Sequence, residues 1–124
     1  MEAIIRRDGR YPVEAYQFLG EALEHAVKSI HGEKGARSGR ESHVSGQQLC
    51  LAIRDLAIQR WGLLARTVLS KWNLRATIDF GNMVYLMIEH EFMRKTETDS
   101  IEDFRDVYDF DQAFELVADF DLRE

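Results

Sequence analysis

The chain has one cysteine, Cys50, and one proline, Pro12, in 124 residues. A lone cysteine cannot close an internal disulfide, so a small disulfide-held scaffold is excluded and a reducing, cytoplasmic setting is expected. No apolar run approaches the roughly 20 residues that span a bilayer. The opening segment "MEAIIRRDGRYP" has no apolar h-region, so no secretory signal is expected. Phosphate-cradling glycine motifs are absent too. "GEKGARSG", Gly32 to Gly39, lacks the order G-x-x-x-x-G-K-[ST] and follows a helical pattern rather than a strand. Among the histidines, His25 and His31 are six apart, and Glu89-His90-Glu91 are consecutive. Neighbours on a helix diverge by about 100°, so neither group makes a chelating face, and no metal or cofactor is expected. Cys50 has no evident base near it and reads as a small buried side chain. No Ser/His/Asp spacing is legible, and the carboxylates are too numerous to mark one acid/base pair. No catalytic residue is therefore assigned.

What is present suffices for a core. With 45% hydrophobic residues, the chain reads as one domain, 1–124. The net charge of −6 is unevenly placed. Residues 1–75 hold 12 Lys+Arg and 8 Asp+Glu, a balance of +4; residues 76–124 hold 4 and 14, a balance of −10. Either opposite faces of one domain are solvated, or the acidic end docks on a basic partner or covers the basic half.

The apolar spacing sketches the elements. Pro12 suits a helix's first turn, and Val13, Tyr16, Leu19, Leu23, Ala26, Val27 and Ile30 continue a buried face, predicting a helix over 12–31 closed at Gly32. Residues 32–44 read as a basic Gly/Ser-rich loop. Ser45 and Gln48 form a capping-box pattern ahead of a helix over 46–61. A short helix over 63–72 follows, ended by Asn73. Thr77 is then expected to cap a helix over 79–91 with Asp79 in its first turn. There Phe80, Met83, Val84, Met87 and Ile88 recur at i, i+3, i+4, i+7, i+8, the strongest helical signal in the chain. Imperfect alternation over 92–108 suggests a β-hairpin around Thr98-Asp99-Ser100. A short helix over 109–120, capped by Asp109 or Asp111, completes the chain. In "DFRDVYDFDQAFELVADFD" the rings of Phe104, Tyr108, Phe110, Phe114 and Phe120 alternate with acids. They either complete the core or form an acidic, aromatic docking segment.

From Leu63 to Lys95 the chain resembles the winged helix-turn-helix pattern. A short helix ends at Asn73, Leu74 follows, Thr77 opens the next helix, and "EFMRK" stands where a first wing strand would begin. The resemblance implies a trihelical, DNA-reading shape. The outer stripe of helix 79–91 argues against the DNA part. Asn82 suits adenine, but Asp79 and Glu89 repel phosphates, and Ile78, Tyr85 and Leu86 look like a protein-contact surface. The expected partner-binding residues are Ile78, Asn82, Tyr85, Leu86 and Glu89. The alternative nucleic-acid set is Arg37, Arg40, Arg66, Lys71 and Arg75.

Over most of its length the chain also resembles an uncharacterised family of short conserved bacterial proteins of planctomycete and verrucomicrobial type. The resemblance is carried by "RYPVEAYQFLGEAL", "HVSGQQL", "ARTVL", "TIDFG" and "DFRDVYDFDQAF". It departs in "IEHEFMRK", where the family has a small residue near Glu91 or Phe92. It implies one full-length domain and no particular activity. The expectation is a mainly α (α+β) domain: a winged-helix-like trihelical core, an N-terminal helix, a C-terminal β-hairpin and a short last helix. Its expected role is a non-enzymatic protein-interaction or regulatory module with a protein partner or self-association. The alternatives are a winged-helix nucleic-acid-binding protein and an enzyme with an unrecognised site.

Overall fold

The computed structural model describes residues 1–38 and 43–114. Helix α1, Glu2–Asp8, was not anticipated from the sequence. It holds Ile5 in the core at 1% exposure and ends at Gly9, whose φ of 76° lets its N–H reach the Ile5 carbonyl. Its local signals are the Glu2–Arg6 pair one turn apart and the terminal glycine. Helix α2, Val13–Ser38, is interrupted at Gly32, whose φ of 73° and ψ of −179° are non-helical, and resumes beyond it. Helix α3, Gly46–Trp61, starts with the reciprocal cap of Ser45 and Gln48. The Gln48 N–H donates to Ser45 Oγ at 3.1 Å, and the Ser45 N–H donates to Gln48 Oε1 at 2.9 Å. A 3-10 turn, Gly62–Leu64, leads into α4, Ala65–Lys71, and then α5, Thr77–Glu89.

Thr77 does not cap α5. It is buried at 1% exposure, its Oγ1 donates to the Phe104 carbonyl at 2.6 Å, and it accepts from the Val107 N–H at 3.1 Å. Asp79 takes over the cap, with Oδ2 accepting from the Arg75 and Ala76 N–H groups at 2.8 and 3.0 Å.

The expected hairpin over 92–108 is not formed, and no strand occurs among the described residues, so the α+β class and the wing are corrected to an all-helical fold. The cause is local competition. The Asp99 carboxylate accepts from the Thr96 N–H at 2.8 Å, and Asp103 accepts from the Ser100 N–H at 3.1 Å while Ser100 Oγ accepts from Glu102. Short polar side chains thereby claim the backbone donors a strand ladder would need. The segment closes into a 3-10 turn, Ile101–Phe104. A last helix, α6, runs from 110 to 114, opened by Asp109 Oδ1 accepting from the Asp111 N–H at 2.7 Å. The remainder of the expected helix, with Phe120, lies outside the described residues.

The core has two aromatic clusters. Phe18, Trp61 and Trp72 meet with ring centroids 4.9 to 5.8 Å apart, joining α2, α3 and the end of α4. Phe80 of α5 stacks on Phe110 at 5.7 Å, and Phe114 meets Phe110 edge-on at 5.4 Å. The acidic-aromatic run therefore supplies core rings: Phe104, Phe110 and Phe114 are buried, and Tyr108 Oη donates to the Cys50 carbonyl at 2.9 Å. Helix α5 is covered nearly all round, Glu89 alone of its residues being exposed. Tyr11 and Pro12 precede α2, and Tyr11 lies over one side of α5. The 3-10 turn at Phe104 lies against another side, where a Cβ on Gly81 would fall 2.8 Å from Phe104 Cβ.

Two substitutions test this packing. Thr77→Val keeps the shape but strands a buried carbonyl and N–H, and should cost about 1–3 kcal/mol. Gly81→Ala forces the Phe104 ring aside and should cost about 1–3 kcal/mol through overpacking. Urea denaturation of both variants against the parent measures each loss.

Candidate functional site

The outer face of α5 does not present itself as one surface. Leu86 is buried at 7% exposure, Ile78, Asn82 and Tyr85 are half-buried, and of the five expected partner residues Glu89 alone is exposed. Asn82 Nδ2 donates to Tyr11 Oη at 3.0 Å, and Tyr11 Oη donates to Asp79 Oδ1 at 2.7 Å. The polar groups that would meet a DNA groove thus bind α5 to the start of α2. Tyr11 was not legible as their partner, because 68 residues separate it from Asp79. Burial pushes its phenol up to about 12.

The basic residues are separately engaged. Arg66 is ion-paired with Asp111, one point where the acidic end meets the basic half. The Arg75 Nη1 donates to Ser70 Oγ at 3.2 Å. Lys71 is exposed and shares a shallow surface with Arg66, Thr67 and Ser70. The Arg37 side chain and all of Arg40 lie outside the described residues.

The site with the most convergent chemistry is a cleft of about 410 Å³ between the start of α3, the second half of α5 and the segment after it. Leu23, Leu49, Val84, Ile88 and Met93 supply its apolar lining. Two local devices shape its rim. Glu91 adopts φ 65°, turning the chain sharply out of α5, and the N–H groups of Phe92 and Met93 fold back to the Met87 carbonyl at 2.8 and 3.2 Å. This leaves the Phe92 ring 48% exposed at the cleft. On the other side of the sequence, His31 Nε2 donates to the His43 carbonyl at 2.6 Å, and His43 Nε2 lies 3.2 Å from Asp99 Oδ1.

Tyr85 lines the cleft, and its hydroxyl oxygen is buried without a hydrogen-bond partner among the described residues. Burial, then the charges of Asp99 and Asp103, hold its pKa above the ordinary value, so it stays a donor. Lys95 Nζ stands 6.0 Å from the Tyr85 ring centroid, at the outer reach of a cation–π contact. A wider hollow of about 710 Å³ runs past Ile5, Tyr11 and Trp72. There Arg10 pairs with Asp8, and Asn73 Nδ2 donates to the Arg10 carbonyl.

No family model, curated protein or solved structure matches the chain.

The remaining candidates are inert or unformed. Cys50 is fully buried, and burial alone pushes its thiol up to about 12, the opposite of a reactive thiolate. Among the described residues no group of His, Cys, Asp and Glu gathers to hold a metal, and no helix is long and apolar enough to cross a membrane. Of the five expected partner-binding residues, Tyr85 alone lines the cleft. His43, Phe92, Lys95 and Asp99 carry no local signal, because separate turns bring them together.

The raised thiol and phenols set an alkaline limit. Cys50, Tyr11 and Tyr16 hold their protons to about 12 in the fold, against 9.0 for a free thiol and 10.0 for free phenols. A proton held more tightly in the fold stabilises it below the unfolded pKa, and that stability is lost as pH rises. Melting temperature, followed by circular dichroism, should therefore fall progressively from about pH 9 upward. Cys50→Ala should move the onset toward pH 10; an unchanged profile in that variant would contradict the burial of the thiol.

Proposed function

We propose that the chain is a small non-enzymatic interaction module that receives its partner in the cleft at Tyr85 and Phe92. One observation carries the reading: a cleft-lining tyrosine has a buried hydroxyl oxygen with no hydrogen-bond partner among the described residues, and an exposed phenylalanine stands at the rim. Leaving a buried donor unpaired costs about 1–3 kcal/mol, and an acceptor on a bound partner recovers that loss. The volume suits insertion of one or two side chains, since ligand pockets begin at about 300 Å³. The hydroxyls near the cleft support binding over chemistry. Ser45 and Ser100 accept backbone N–H groups as caps, and no base is paired with either.

The reading separates stability from binding at one atom. Tyr85→Phe removes the unpaired hydroxyl and should leave the melting temperature equal or higher. The same change should weaken partner binding about threefold to tenfold, the worth of one hydrogen bond. Phe92→Ala should weaken it further, whereas Ile78→Ala, at a residue that does not line the cleft, should not. Quantitative pull-down with the four proteins decides it; equal retention by all four would sink the proposal.

A second reading, nucleic-acid binding, rests on the shallow basic surface of Arg66 and Lys71 on α4, with Arg75 after it. It expects retardation of a DNA or RNA probe at low salt, with affinity falling steeply as salt rises. A gel showing no shift at low salt ends it.

A further inference from the structure

The charges around the cleft are not equivalent. Its charged lining is His43, Arg94, Lys95, Asp99 and Asp103. The carboxylates are already committed. Asp99 Oδ2 accepts from the Thr96 N–H at 2.8 Å and its Oδ1 faces His43 Nε2 at 3.2 Å; Asp103 Oδ2 accepts from the Ser100 N–H at 3.1 Å. Both cations are exposed, and neither has a carboxylate within ion-pair distance among the described residues. Lys95 is spread over the Tyr85 ring, a weak hold that a carboxylate can displace. Glu89, Glu91 and Glu97 are near in sequence but do not line the cleft. The cleft thus combines an apolar floor, a neutral tyrosine donor and two adjacent exposed cations that hold no ion pair among the described residues.

We propose that the occupant is an acidic-apolar peptide segment of a partner protein. An aromatic or aliphatic side chain sits on Leu49, Val84 and Ile88, a backbone carbonyl accepts from Tyr85 Oη, and a flanking carboxylate meets Arg94 and Lys95. The apolar floor supplies affinity, the hydroxyl fixes the peptide's register, and the two cations select its charge. A basic segment meets the two exposed cations first, whereas Asp99 and Asp103 are half-buried against backbone N–H groups.

This assignment rests on the cleft being the binding surface, and the test keeps the two claims apart. Three blocked synthetic peptides of equal length would be titrated into the 15N-labelled full chain. They carry the same Phe and Leu anchors with Asp, Ser or Lys at the remaining positions. The expected result is shifts of the Tyr85, Phe92 and Lys95 amides with the Asp peptide. It should bind about tenfold more tightly than the Ser peptide, two exposed ion pairs being worth that much at low salt, with the Lys peptide weakest. The double variant Arg94→Glu, Lys95→Glu changes only exposed positions and should reverse the order of the Asp and Lys peptides. Shifts at the cleft with all three peptides alike overturn the charge assignment and leave the cleft as the binding surface. No shift at the cleft with any peptide overturns both.

Discussion

One hydroxyl holds the two halves of this molecule together. Thr77 Oγ1 donates to the Phe104 carbonyl and accepts the Val107 N–H, tying the first turn of α5 to a segment about thirty residues on. That bridge sets the Phe104 ring against Gly81 of α5 and Gly46 of α3, where no Cβ could fit without displacing it. Hydrogen bond and close approach are one arrangement: the threonine satisfies the backbone of a turn that has no strand ladder, and the glycines make room for its ring. From there the chain runs on to Tyr108, Phe110 and Phe114, whose rings close the core over Phe80 and Cys50.

The latch helps to leave the helix with the strongest sequence signal without a free face. A recognition helix leaves one face free for a groove. Here Phe104 covers one side of α5, Tyr11 hydrogen-bonds across another through Asp79 and Asn82, and Leu86 is buried. The apolar stripe was legible, but its mixed reverse, with Asp79, Asn82 and Glu89 beside Ile78, Tyr85 and Leu86, did not reveal that Tyr11 covers it. The cleft lies where this wrapping ends, along the second half of α5 and the segment after it.

What could be read from the sequence was what is local. The Ser45–Gln48 cap has both partners within one turn, and the periodicity over Phe80 to Ile88 needs no distant information. The errors come where a side chain had two uses. Thr77 stands at a capping position but spends its hydroxyl on Phe104 and Val107, leaving the cap to Asp79. Thr98-Asp99-Ser100 reads as the centre of a hairpin by its turn residues, but in the fold Ser100 pairs with Asp103 in a capping box, and that shorter-range pattern prevailed. The cleft was nearly invisible for the same reason: His43 and Asp99 meet across 56 residues, and only the fold brings them together.

The left-handed turn at Glu91 has a consequence for how such a site changes over time. A non-glycine residue in that conformation carries about 1–2 kcal/mol of steric cost. The cost falls on a single peptide link that neither the Phe104 latch nor the aromatic clusters share. Substitution there can re-aim the cleft's rim, Phe92 to Lys95, while the helices beneath stay as they are. The molecule therefore divides into a body that tolerates little and an edge that tolerates much, with the boundary at one residue.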